Sequence, residues 1–158
     1  MDTIRVVWGS GTGPTAMASY DAALADAGVC NYNLVAVSSM LPPGADVEAV
    51  GTAGDLGEVG GRLTVVEARA TASEPGHVSA GLAWAQSPDG GVFYEAAGRT
   101  DADDVEERVR RGVAAGVELR EAWAFDDPRV RVQSAAVEPG THTTAVVLAV
   151  YGDADPLV

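Results

Sequence analysis

Lysine is missing altogether from these 158 residues: all 10 basic side chains are arginine, set against 23 acids for a formal charge of −13. That absence excludes a lysine Schiff base to pyridoxal phosphate, a Walker-type phosphate lysine and a lysine general base. Cysteine is scarce as well. Cys30 stands alone, so no intrachain disulfide and no cysteine-rich metal site is possible. Isoleucine occurs once (Ile4) and aromatics make up only 6%, so the core must be built from Ala and Val. No apolar run nears the ~20 residues of a bilayer span. The start, Met1-Asp2-Thr3-Ile4-Arg5, lacks the basic-then-apolar order of a signal peptide. These absences predict a soluble, cytoplasmic protein with no membrane partner.

What is present fits one domain over residues 1–158, without repeat or linker. Hydrophobic residues make up 47%, which excludes disorder despite the charge. A surface this acidic repels nucleic-acid phosphates. Abundant acids without lysine also suit a halophilic cytoplasm, where molar salt shortens the Debye length to about 3 Å and screens self-repulsion.

Along the chain, Ile4–Trp8 reads as a strand and Gly9–Thr15 as a loop. Ala16–Ala27 reads as a helix with Thr15 as N-cap, Gly28 as stop, and an apolar stripe of Met17, Tyr20, Leu24 and Ala27. Asn31–Ser38 is the next strand, ended by Pro42 and Pro43. Residues 50–61 hold five glycines and read as an irregular excursion. Leu63–Ala70 is a strand, Val78–Gln86 and Val92–Ala96 a hairpin around Ser87-Pro-Asp-Gly-Gly91. Asp101–Arg120 is a second helix, acids first and arginines later. Val130–Val137 and Thr141–Tyr151 form a last hairpin, and residues 152–158 a loose tail. Two helices with mostly antiparallel strands give an α+β fold.

Gly9-Ser-Gly-Thr-Gly13 follows a strand and precedes a helix, but Pro14 breaks the dinucleotide pattern and no βαβ crossover follows. His77 and His142 are isolated, without acids at ligand spacing, so no metal site and no Ser-His-Asp order is read. Ser38-Ser39 lies where a strand hands over to a proline-stiffened segment, a place to hold strained backbone. A serine hydroxyl there that attacks the preceding carbonyl gives an ester by N→O acyl shift. Elimination and hydrolysis then cut the chain and turn the serine into a pyruvoyl group. Such a ketone draws electrons from an amino acid's α-carbon, as pyridoxal phosphate does, and needs no lysine.

These residues resemble the pyruvoyl-dependent arginine decarboxylase family over nearly the full length. The likeness rests on Gly11-Thr-Gly-Pro-Thr15, Tyr20-Asp-Ala-Ala-Leu24, Gly28-Val-Cys-Asn-Tyr-Asn-Leu34, Val37-Ser-Ser-Met-Leu-Pro-Pro43 and Gly91-Val-Phe-Tyr-Glu95, in that order. The resemblance implies an αββα sandwich, cleavage between Ser38 and Ser39 into a β chain (1–38) and an α chain (39–158), and a covalent pyruvoyl made from Ser39, with neither pyridoxal phosphate nor metal. It implies Glu95 as the catalytic acid, Asn33 as a residue of self-processing and of the site, and Asp21 as the partner of a substrate guanidinium. The implied reaction turns L-arginine into agmatine and CO2 for polyamine synthesis, in a homotrimer with sites at subunit boundaries. A pyruvoyl decarboxylase for another amino acid, or an uncleaved trimeric binding protein of the same fold, stands as the alternative. Apart from the resemblance, Asn33 and Ser39 are six residues apart, about 20 Å in an extended strand. They meet only if the chain doubles back or a neighbouring subunit completes the site.

Overall fold

The computed structural model describes residues 3–158, so Met1 and Asp2 of the chain start read above lie outside the described residues. Nine strands and two helices follow in the order β1 (Thr3–Gly13), α1 (Ala16–Ala27), β2 (Asn33–Ala36), β3 (Met40–Leu41), β4 (Asp46–Gly51), β5 (Arg62–Ala72), β6 (His77–Ser87), β7 (Gly90–Gly98), α2 (Ala102–Leu119), β8 (Arg129–Ala136) and β9 (His142–Tyr151). One sheet has the order β2-β5-β9-β1-β4, the other β3-β7-β6-β8. Only the outer pairs β1/β4 and β2/β5 run parallel. Helix α1 packs on β1 and β9, α2 on β6, β7 and β8, and the sheets face each other. The layers are therefore α, β, β, α.

Three apolar layers hold the sandwich. Val6, Val66, Leu82, Trp84, Phe93 and Val147 fill the space between the sheets. Ala23, Leu24 and Ala27 of α1 close over Val7, Val65 and Leu148. Val109 and Val113 of α2 close over Ala83, Ala85 and Val92. Strand β9 is buried on both faces from Thr143 to Val150, as its unbroken apolar run requires.

The glycine-rich loop expected over Gly9–Thr15 is instead strand to Gly13. Period two puts Gly9, Gly11 and Gly13 on one face of β1, and α1 lies directly on them. A Cβ on Gly11 would stand 2.5 Å from the Ala23 nitrogen, and one on Gly9 2.7 Å from the Ala23 oxygen. The glycines serve close helix approach rather than a turn. Thr15 caps α1 as expected, accepting from the Ala18 N–H at 3.0 Å, and Gly28 ends it at φ 83°. The expected stripe shifts, because Met17 is 70% exposed while Ser19 and Ala23 are buried. The Ser19 hydroxyl donates to the Ala16 carbonyl at 2.8 Å and shares a hydrogen bond with the Thr144 hydroxyl at 2.7 Å.

Two further expectations change. Part of the acidic, glycine-rich stretch forms β4, parallel to β1, and only the residues after Gly51 are irregular. The tail is tied down: Gly152 N–H bonds the Thr3 carbonyl, Ala154 N–H that of Leu56, and Asp155 exchanges two backbone bonds with Arg62. Helix α2 follows the expected charge order, with Asp101 capping the Asp104 N–H at 2.9 Å and Arg110 paired to Glu106 at 2.9 Å. Among the described residues no helix is long and apolar enough to cross a membrane.

Candidate active site

The predicted strand Asn31–Ser38 is shorter, because the chain leaves one sheet for the other inside it. Val37 N–H still bonds the Val65 carbonyl (2.9 Å) of the first sheet, while Phe93 N–H of the second already bonds the Ser39 carbonyl (2.7 Å). Ser38 is thus the step between the sheets. Met40 N–H turns back to the Ser38 carbonyl at 3.0 Å, closing a three-residue turn centred on Ser39. The strained backbone expected here does not take the left-handed form, since only glycines have positive φ among the described residues. Downstream, Tyr151 donates to the Met40 carbonyl at 2.7 Å and stacks edge-on to Phe93. Burial pushes its phenol up to about 12.

Glu95 stands on β7 two residues beyond Phe93, opposite the fully buried Leu82. Alternation turns it to the inter-sheet side with Phe93 and Ala97, at the open edge where the chain crosses. Its side chain reaches solvent, so the expected apolar shielding is partial. Burial of the remainder raises its carboxyl above the usual range, the direction a proton donor needs.

Asp21 and Asn33 line a different cavity of about 590 Å³, together with Met17, Tyr20, Cys30 and Tyr32. Helix α1 supplies Asp21 from its exposed margin. Asn33 opens β2 and is fixed from both ends: its backbone N–H bonds the Gly61 carbonyl and its Nδ2 the Gly60 carbonyl, each at 2.8 Å. Beneath lies a cluster that sequence reasoning missed. Tyr20 donates to Glu67 at 2.6 Å, and the Arg69 guanidinium sits 4.4 Å over the Tyr20 ring. Burial first, then the Glu67 bond, hold the Tyr20 phenol protonated. Arg69 and Glu67 alternate with apolar residues on β5, which reads as an ordinary solvated face until α1 covers it.

The two halves do not meet. Ser38 and Ser39 line a separate cavity of about 250 Å³ with Phe93, Tyr94 and Arg120. Between it and Asn33 runs extended chain, with β2 paired to β5 from Asn33 to Ala36 and Val37 continuing the ladder. Four such steps to Val37 span about 13 Å, and the turn at Ser39 then follows on the facing sheet rather than back toward Asn33. His77 and His142 begin strands of different sheets, and among the described residues no three His, Cys, Asp or Glu gather to hold a metal.

Comparison with known proteins bears on the chain as a whole. The family model described as pyruvoyl-dependent arginine decarboxylase matches residues 3–156. Pyruvoyl-dependent arginine decarboxylases of two strains of Halobacterium salinarum are 54% identical over 159 residues, covering 99% of this chain and 98% of theirs. That of Pyrococcus abyssi is 32% identical, over 88% of this chain and 89% of its own.

Proposed function

Because the chain belongs to the pyruvoyl-dependent arginine decarboxylase family, we propose that it cuts itself between Ser38 and Ser39 and then converts L-arginine to agmatine and CO2 in the cytoplasm. The observation that carries this reading is the Ser38–Ser39 link. It lies where the chain steps directly from β2 of one sheet to β3 of the other, its carbonyl already accepts the Met40 N–H, and a cavity opens beside it. Ser39 Oγ attacks the Ser38 carbonyl carbon, and the Met40 N–H steadies the negative charge that grows on the carbonyl oxygen. The site suits a group made from Ser39, since Phe93 N–H holds the Ser39 carbonyl from the facing strand and β3 clamps the segment behind it. That pyruvoyl group, once present, supplies a ketone that draws electrons from the substrate's α-carbon.

The remaining roles fall to side chains. Glu95, whose carboxyl partial burial raises above the usual range, delivers a proton to the α-carbon when CO2 has left. Asp21 offers a carboxylate that accepts a forked pair of guanidinium hydrogen bonds. Asn33 presents its amide to developing oxygen charge. The separation of the two cavities supports a site shared between subunits, in which a homotrimer brings Asp21 and Asn33 of one protomer to Ser39 and Glu95 of its neighbour. Neither pyridoxal phosphate nor a metal takes part.

Purified enzyme offered arginine, ornithine, lysine, histidine and aspartate, each assayed for CO2, tests the substrate. Arginine is expected to dominate. Asp21→Asn is expected to lower kcat/KM for arginine about 10- to 100-fold, the worth of a charged hydrogen-bond pair. Equal rates on the other amino acids, or an unaffected Asp21→Asn enzyme, would contradict the assignment.

A further inference from the structure

Arg108, Gly112 and Gly116 form one stripe of α2, and Arg120, the residue that caps its C-terminal end, follows four residues on. The stripe runs back along β7. Arg108 reaches the Ala97 carbonyl at 3.4 Å. Tyr94 lies flat on the two glycines, where a Cβ on Gly112 would meet its ring at 2.8 Å. Arg120 therefore falls at the far end, against the crossing chain. It lines the cavity that holds Ser38 and Ser39.

Its guanidinium is poorly matched there. One nitrogen donates to the Gly116 carbonyl at 3.0 Å, and the other touches Met40 Sδ, a weak acceptor, at 3.7 Å. The Trp123 ring lies 5.8 Å away. Among the described residues no carboxylate comes within 4.0 Å of it, whereas Arg108, Arg110 and Arg111 each pair with an acid four residues earlier. An unpaired arginine in a small cavity with Phe93 and Val92 as walls suits an anion that the intact chain does not yet contain.

We propose that Arg120 is the counter-ion for the carboxylate that self-cleavage creates at Ser38, and that it speeds the step releasing that carboxylate. The proposal rests on the reading that Ser39 attacks its own chain. The acyl shift moves the Ser38 acyl group from the Ser39 nitrogen to Ser39 Oγ and leaves a free amine. Solvent base then takes the Ser39 Cα proton and the Cβ–Oγ bond breaks. The electron pair departs on Oγ, which becomes an oxygen of the Ser38 carboxylate. The enamine left on residue 39 tautomerises, adds water and releases ammonia. Negative charge therefore appears on the oxygens of Ser38 during elimination, in a partly dry site where a guanidinium stabilises it well. The acyl shift itself is neutral overall and depends on Arg120 much less.

Time courses of self-cleavage in the wild-type chain, Arg120→Gln, Arg120→Met and Arg120→Lys, each checked for a cooperative thermal transition, test this. With Gln or Met, whichever folds, two-chain product is expected to form at least 10-fold more slowly. An ester is expected to accumulate that hydroxylamine cuts after Ser38, leaving a hydroxamate there. Lys keeps the charge and is expected to cut within a few-fold of wild type. Wild-type rates in the neutral variants would overturn the proposal, as would a stalled chain that hydroxylamine does not cut, or a lysine variant as slow as the neutral ones. A wild-type chain that never cuts counts against the Ser39 reading itself, a result distinct from any of these.

Discussion

Ser39, in the turn before β3, and Glu95, on β7, carry opposite tasks in the proposed reaction, one to break the chain and one to donate a proton. Ser39→Ala lacks the attacking hydroxyl, so the chain is expected to stay whole, and a cut variant on a denaturing gel would refute the assignment. Glu95 makes a second prediction with a definite sign. Partial burial raises its carboxyl in the folded state, so folding favours the protonated form. The stability that this gives is complete below the ordinary glutamate pKa of about 4.3 and is lost as pH rises through the raised folded value. Glutamine imitates the protonated acid. In the uncut Ser39→Ala background, Glu95→Gln is expected to raise the thermal midpoint at pH 7 and leave it unchanged near pH 3. With Ser39 intact, the same substitution is expected to lower decarboxylation about 10²-fold or more. A midpoint difference that is flat with pH would contradict the stated burial.

Helix α1 and strand β1 show how the elements position Asp21, the proposed partner of a guanidinium. The helix can bring Asp21 over the sheet only because Gly9, Gly11 and Gly13 leave no side chains between them. Gly11→Ala places a methyl against helix backbone that has no free direction to move. It is expected to cost about 3 kcal/mol, roughly a 10 °C fall in melting temperature. An equal thermal midpoint in calorimetry would show that α1 rides higher than described. The same pair explains what was legible beforehand. Thr15 and Gly28 mark both ends of α1 by local chemistry, and the acid-to-arginine order marks α2. The glycines looked like a loop because their reason is a helix packed across them, a contact that no local pattern states. Parallel β4 and the tethered tail were hidden likewise, since their partners β1, Leu56 and Arg62 are distant in sequence. Ser38-Ser39 was singled out from its place beside the prolines and Glu95 from the family resemblance, whereas Tyr151 and Arg120 needed the register of sheet and helix to bring them to the same turn.

At the scale of the whole molecule, charge and assembly are linked. Thirteen net negative charges repel one another across any contact between copies of this chain. Screening shortens from about 10 Å at 0.1 M salt to about 3 Å at 1 M. Lowering salt over that range is expected to reduce the thermal midpoint by about 10 °C and to dissociate the proposed trimer, followed by calorimetry and light scattering. Salt-independent behaviour would argue that acidic residues are neutralised within the assembly. The separation of Asn33 from Ser39 gives a sharper expectation. Asn33→Ala and Ser39→Ala proteins, each inactive alone, are expected to recover part of the wild-type activity when refolded together, because one of the mixed sites is intact. No recovery would mean that each chain builds its own site.

The central claim is that Ser39 becomes the reactive group by cutting the chain before it, and the intact mass of the purified protein reads this most directly. Two pieces are expected, residues 1–38 and residues 39–158, the second lighter by one ammonia than a serine-started fragment and trapped by a ketone reagent. A single chain of 16.1 kDa that nevertheless decarboxylates arginine at full rate would contradict it.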